Sequence, residues 1–144
     1  MPMNQDKLFT LEEANALIPQ FTLMMEKMQR LNIKVRKEVA ALAHERGEDE
    51  LADLSTQHLL RLRPSLRPLF AELTQLVEDI EQHGCQFKGL ELGLVDFPAR
   101  IGGEVAHLCW QYGESEIAFY HPLNEGFAGR RPLNAQGQKP RYYQ

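Results

Sequence analysis

The sequence predicts an α+β fold in a single domain, 1–144: a long antiparallel helical hairpin over 11–83, a three- to four-stranded antiparallel sheet over 86–121, and an irregular loop and basic tail over 122–144. Three observations carry this expectation. Apolar residues recur every three or four positions as far as Ile80, the spacing of one helix face. Beyond Gly84 the pattern shifts to short runs rich in Val, Ile, Phe, Tyr and Trp, separated by glycine-containing turns. The shift happens once, so helices precede strands instead of alternating with them, which separates α+β from a parallel α/β arrangement.

The first helix starts at Leu11. Thr10-Leu11-Glu12-Glu13 fits a capping box, in which the threonine hydroxyl accepts from the Glu13 N–H and the glutamate reaches back to the threonine N–H. Behind it Ala14, Leu17, Ile18, Phe21, Met24, Met25, Met28, Leu31, Val35, Val39 and Leu42 fall on one face, and Gly47 stops the run. Pro19 removes one N–H inside this stripe, but the stripe stays in phase past it, so a bend is expected in place of a break. A second stripe comprises Leu51, Leu54, Leu62, Leu66, Leu69, Leu73, Leu76, Val77 and Ile80. Pro64 and Pro68 interrupt it, and a kink, or a restart capped by Ser65, is expected there. Lys27, Arg30, Lys34 and Lys37 read as a solvated face in preference to a polyanion ridge, because no aromatic residue interleaves them for stacking on bases. The methionines at 24, 25 and 28 read as core filler, and His58 as a packed, hydrogen-bonded histidine at the stripe's edge.

Strands are expected at 94–99, 104–112 and 116–121, with a short fourth over 86–90. Gly102-Gly103 supplies a two-residue hairpin loop and Gly113-Glu114-Ser115 the second turn, giving a meander. Pro98 has no N–H to donate and places the first strand at the sheet margin. With the Gly-Gly loop setting the register, Asp96 lies across from Cys109.

Composition excludes several classes. At 144 residues, with 43% hydrophobic and 25% charged, the chain has the make-up of a folded domain and not of a disordered, collagenous or disulfide-built one. No apolar run approaches the about 20 residues that cross a bilayer, and residues 1–8 lack the basic-then-apolar order of a signal peptide, so a cytoplasmic protein without a membrane partner is expected. Cys85 and Cys109 then read as free thiols. No GxGxxG, Walker A, GxSxG or HExxH motif is present; no catalytic residue and no cofactor are assigned. The net charge is −4, yet 127–144 carries Arg130, Arg131, Lys139 and Arg141 and no acid. Four dispersed charges neutralise few phosphates, so nucleic acid is not the expected partner.

The final third is dense in particular residues: Gly93-Leu94-Val95-Asp96-Phe97-Pro98, Leu108-Cys109-Trp110, Gly113-Glu114, Tyr120-His121-Pro122, and Glu125-Gly126-Phe127-Ala128-Gly129-Arg130-Arg131-Pro132. With the opening Phe9-Thr10-Leu11-Glu12-Glu13-Ala14-Asn15-Ala16-Leu17-Ile18-Pro19, these segments resemble the uncharacterised bacterial family known as domain of unknown function 2203. The resemblance implies kinship across most of the chain and no particular activity. Pro64, Pro68 and the tail beyond Leu133 stand outside its pattern.

Three functional readings follow. In the leading one the protein is an interaction or regulatory module without catalysis, a two-fold homodimer or a partner of another protein through its helices. In the second, Gly126, Gly129, Arg130 and Arg131, with His121 nearby, bind a small anion: the glycines let successive N–H groups form a nest, and arginine offers a bidentate fork. The competing use of the same loop pairs its arginines with Glu114, Glu116 or Glu125. The third is a metal site drawn from Cys109, His121, Asp96 and Glu114 at one sheet end.

Overall fold

The structure, a computed structural model, describes residues 7–47 and 54–133. Leu51 of the second stripe and Lys139 and Arg141 of the basic tail lie outside them. The fold is α+β: α1 (Leu11–Arg46), α2 (Thr56–Leu62) and α3 (Leu66–Glu81) are followed by β1 (Gln86–Phe87), β2 (Leu94–Ile101), β3 (Glu104–Gln111), β4 (Phe119–Pro122), a 3-10 turn (Phe127–Gly129) and β5 (Arg131–Pro132). Among the described residues, no helix is long and apolar enough to cross a membrane. The described residues divide into two compact units, 7–25 with 77–133, and 26–47 with 54–76.

In the first unit the capping box at α1 is formed as expected. Glu13 N–H donates to Thr10 Oγ1 at 3.0 Å and Thr10 N–H to Glu13 Oε1 at 2.9 Å. Ala14, Ile18, Phe21 and Met25 are buried in turn. Pro19 lies inside α1, which continues past it. Phe97 of β2 meets Phe9 edge-on at 5.2 Å and stacks with Phe21 at 6.0 Å between centroids. Asn15 Oδ1 accepts the Ile117 N–H at 2.7 Å, tying α1 to the segment before β4.

The sheet has the order β1-β2-β3-β4-β5, antiparallel throughout. Gly102 and Gly103 both have positive φ, 60° and 85°, the conformation a two-residue turn matched to strand twist demands. That turn sets Asp96 opposite Cys109, as the Gly-Gly loop implied. Other expectations are corrected. β2 is not marginal, because β1 pairs with it at Val95 and Asp96. Pro98 is nonetheless accommodated: the Phe9 N–H donates to its carbonyl at 2.7 Å on the side away from β3, so the missing proline N–H breaks no β2–β3 bond. The strand expected over 116–121 is instead Phe119–Pro122, and the segment expected to be irregular contains β5, whose Arg131 and Pro132 pair with Tyr120 and Phe119.

In the second unit, Met28, Leu31, Leu42 and Leu66 are buried. Lys27 pairs with Glu72 at 3.0 Å, Ser65 Oγ donates to Glu38 Oε2 at 3.4 Å, and Arg63 pairs with Glu45, so partner numbers fall as those on α1 rise. The second stripe is divided into α2 and α3: Arg63, preceding Pro64, leaves the helical region at φ −137°, ψ 82°, consistent with the steric conflict between a proline ring and a helical residue before it. His58 is exposed, not packed; its ring Nδ1 meets Ser55 Oγ at 3.1 Å, and Ser55 caps α2.

Candidate metal centre

Strand alternation and register together build the site. Asp96 pairs with Cys109 and Cys109 with Phe119; two residues along, Pro98 pairs with His107 and His107 with His121. Side chains two apart on a strand share a face, so Asp96, His107, Cys109 and His121 project from the same side of the sheet. Asp96, His107 and His121 are buried, with side chains 5%, 11% and 3% exposed.

Their donor atoms converge. His121 Nε2 is 3.0 Å from Asp96 Oδ2, and His107 Nδ1 is 3.6 Å from the same oxygen. The two imidazoles meet edge-on at 5.3 Å, and one donor atom from each of the three residues lies within 4.8 Å of the others. Hydrogen-bond logic then constrains the protons. His121 Nδ1 is 2.9 Å from the Pro122 carbonyl, which only accepts, so Nδ1 carries a hydrogen. In the neutral ring Nε2 then directs a lone pair at the Asp96 carboxylate, which is also lone-pair rich, and a cation is needed between them. A proton serves this one contact. It leaves His107 Nδ1, which is buried and has no hydrogen-bond partner. A metal ion held by Asp96, His107 and His121 would satisfy all three, and the His121–Pro122 bond would then orient the ligating imidazole.

Burial, foremost, pushes the His107 pKa below its ordinary value; Asp96 opposes this, and the charges of His121 and Lys88 add to it. A neutral imidazole is the form that ligates metal. Cys109, on the same face, is not among the three converging donors, and burial followed by the Asp96 charge pushes its thiol up to about 11. Cys85, elsewhere, is buried with its thiol donating to the Ile80 carbonyl at 3.1 Å and is pushed up to about 12 by burial. Neither thiol is ionised near neutrality, so neither is an activated nucleophile.

A cavity of about 260 Å³ opens onto the cluster, with Lys88, Leu123, Gly126 and Phe127 among its other walls. Three protein donors leave coordination positions for water or a ligand, the arrangement in which a metal lowers the pKa of bound water or polarises an oxygen. Two histidines with one carboxylate suit zinc or a later first-row ion better than calcium or magnesium, which take oxygen ligands.

The remaining sequence candidates fall elsewhere. Arg130 donates from Nη2 to both Glu114 oxygens, at 2.8 and 3.0 Å, and to the Cys109 carbonyl at 3.0 Å, while its guanidinium lies over Phe119 (4.2 Å) and Phe127 (5.0 Å). Glu114 also accepts the Gln111 N–H at 2.7 Å; it is a partner of Arg130 and not part of the convergent cluster. Arg131 pairs with Glu125 at 3.1 Å. Both arginines are thus held by carboxylates. The N–H groups of Gly129 and Arg130 are turned inward to Gly126 and Phe127 carbonyls, and a Cβ on Gly129 would collide with Glu125. His107 and Lys88 were not singled out by sequence reasoning. The signal for His107 was parity, since it stands two residues before Cys109 on a strand whose register was legible; Lys88 carried none.

The family described as "Uncharacterized conserved protein (DUF2203)" matches residues 7–133. No curated protein and no solved structure matches the chain.

Proposed function

The chain belongs to the DUF2203 family, and from that premise we propose that it is a metalloprotein whose Asp96, His107 and His121 bind one divalent transition-metal ion with coordination positions facing the adjoining cavity. The observation that carries this reading is the buried His107 Nδ1, which makes no hydrogen bond and stands 3.6 Å from a carboxylate that already faces the Nε2 of a second imidazole. Such a cluster costs stability without a cation to satisfy it. Protein stripped with chelator and titrated with Co(II) or Zn(II) is expected to take up one equivalent, with a Co(II) visible spectrum, and His121→Ala is expected to abolish uptake while circular dichroism stays unchanged. Failure of folded wild-type protein to retain any of Zn(II), Fe(II), Mn(II), Co(II) or Ni(II) stoichiometrically overturns the reading.

A second copy of the chain as partner is supported by Leu23 and Ile33 on α1, which are 67% and 53% exposed. Light scattering at tens of micromolar tests it, an order-of-magnitude concentration at which a micromolar interface is mostly formed; a monomer counts against it.

A further inference from the structure

The walls of the cavity define what the metal would take as its ligand, an inference that rests on the metal reading above. The three donors rise from one sheet face, so their unfilled coordination positions point into the space bounded by Lys88, Leu123 and Phe127. The charges around that space do not cancel. Glu125 is paired with Arg131, and Asp96 is consumed by the metal. Lys88 makes no side-chain hydrogen bond or ion pair among the described residues, although it lines the cavity. A divalent ion with one carboxylate and two neutral imidazoles is singly positive, and Lys88 adds a second positive charge at the same opening. Leu123 (56% exposed) and Phe127 (38% exposed) meanwhile present apolar surface among the cavity's walls.

We infer that the centre binds a small organic oxyanion, a carboxylate or a phosphate monoester, whose charged end bridges the metal and the Lys88 ammonium and whose apolar body lies against Leu123 and Phe127. On this inference the small anion of the second sequence reading sits at Lys88 and the metal, since Arg130 and Arg131 are already bound to carboxylates. Charge-assisted bonding to Lys88 supplies strength, and the rim supplies preference for an organic over an inorganic anion.

Co(II)-loaded protein gives the test, because a ligand entering the metal's coordination sphere alters its visible spectrum. Phenylacetate and phenyl phosphate are titrated in separate arms, with neutral phenylacetamide as control and inorganic phosphate as the arm lacking an apolar body. At least one aromatic anion is expected to change the spectrum saturably, phenylacetamide not at all, and inorganic phosphate to bind more weakly. Lys88→Ala is expected to weaken the anion about tenfold, with Co(II) affinity retained and Lys88→Arg restoring most of the binding. Co(II) uptake with no response to either aromatic anion, equal binding of phenylacetamide, or unchanged affinity in Lys88→Ala each overturns this inference and leaves the metal centre standing. Absence of Co(II) uptake overturns both.

Discussion

The two faces of the β2–β3–β4 sheet are made by the same strands and have opposite characters. On one, Val95 and Phe97 of β2 sit across from Trp110 and Leu108 of β3, all fully buried, and Phe97 packs against Phe9 and Phe21. On the other, one residue out of phase, Asp96, His107, Cys109 and His121 are buried too, His107 the least at 8% exposure. The first face lowers free energy by being dry and close-packed, each large side chain contributing about 1.5–3 kcal/mol. The second buries a carboxylate and two imidazoles, groups that repay burial only if partnered. Its polar residues therefore point to chemistry, and the apolar face opposite supplies the stability that permits it.

The largest effect is expected on the apolar face. Phe97→Ala should lower unfolding stability in urea by about 3–5 kcal/mol, the range for emptying a buried aromatic site. A loss no larger than that of Asp96→Asn would erase the distinction between the faces. On the polar face, Asp96→Asn should weaken Co(II) binding at least about 100-fold, close to 2.7 kcal/mol, in a calorimetric titration, while circular dichroism is unchanged.

Much of this contrast was legible in the sequence. Alternation in Leu94-Val95-Asp96-Phe97 and Ala106-His107-Leu108-Cys109-Trp110 assigns each residue a face, and Gly102-Gly103 fixes which residues oppose. The capping box at Thr10 was legible because it depends on short-range chemistry, whereas for the loop arginines pairing with Glu114, Glu116 or Glu125 stood only as the alternative to an anion site, and the Arg130–Glu114 pair spans 16 residues. His107 required the β3–β4 register, set by a connection whose turn carries no comparable rule, and so its meeting with His121 was not seen. β5 could not be read: Arg131-Pro132 is two exposed residues with no period, paired only because β4 offers an edge. The placement of Pro98 failed because edge status is local; β1 ends before it reaches that residue.

Between those extremes lie the arginines of the flanking loop. Arg130→Ala leaves Glu114 without its charged partner and removes the cation stacked on Phe119, and should lower stability by about 2 kcal/mol; Arg131→Ala, whose pair with Glu125 is exposed, should change it by less than about 0.5 kcal/mol. Thermal denaturation of the two variants side by side checks this, and equal losses would contradict the assignment of unequal burial.

The smallest and most diagnostic effect is the sign at His107. In chelator, His107→Leu should be neutral or stabilising by up to about 1 kcal/mol, because an unsatisfied buried polar group is replaced by an apolar one. Burial, with the charges of His121 and Lys88, lowers the folded-state pKa against the opposing Asp96. As pH falls below about 6.5 the unfolded chain takes up a proton at His107 that the folded chain resists, so stability is lost on the acid side. Urea midpoints between pH 7 and 5 should fall further for chelated wild type than for His107→Leu, and parallel profiles would show that His107 is not buried in the neutral form.

The bond from Ile117 N–H to Asn15 Oδ1 spans 102 residues, and that span has a meaning in time. The β2–β3 hairpin closes through neighbouring residues around Gly102 and Gly103 and needs little chain. The first turns of α1 have no such local remedy: Phe21 is made early, and the Phe97 that stacks on it belongs to a strand made far later. At about 5–20 residues synthesised per second, the interval between Asn15 and Ile117 lasts roughly 5–20 s. For that long the first turns of α1 hold out apolar side chains whose strand partners do not yet exist, surface of the kind that chaperones cover.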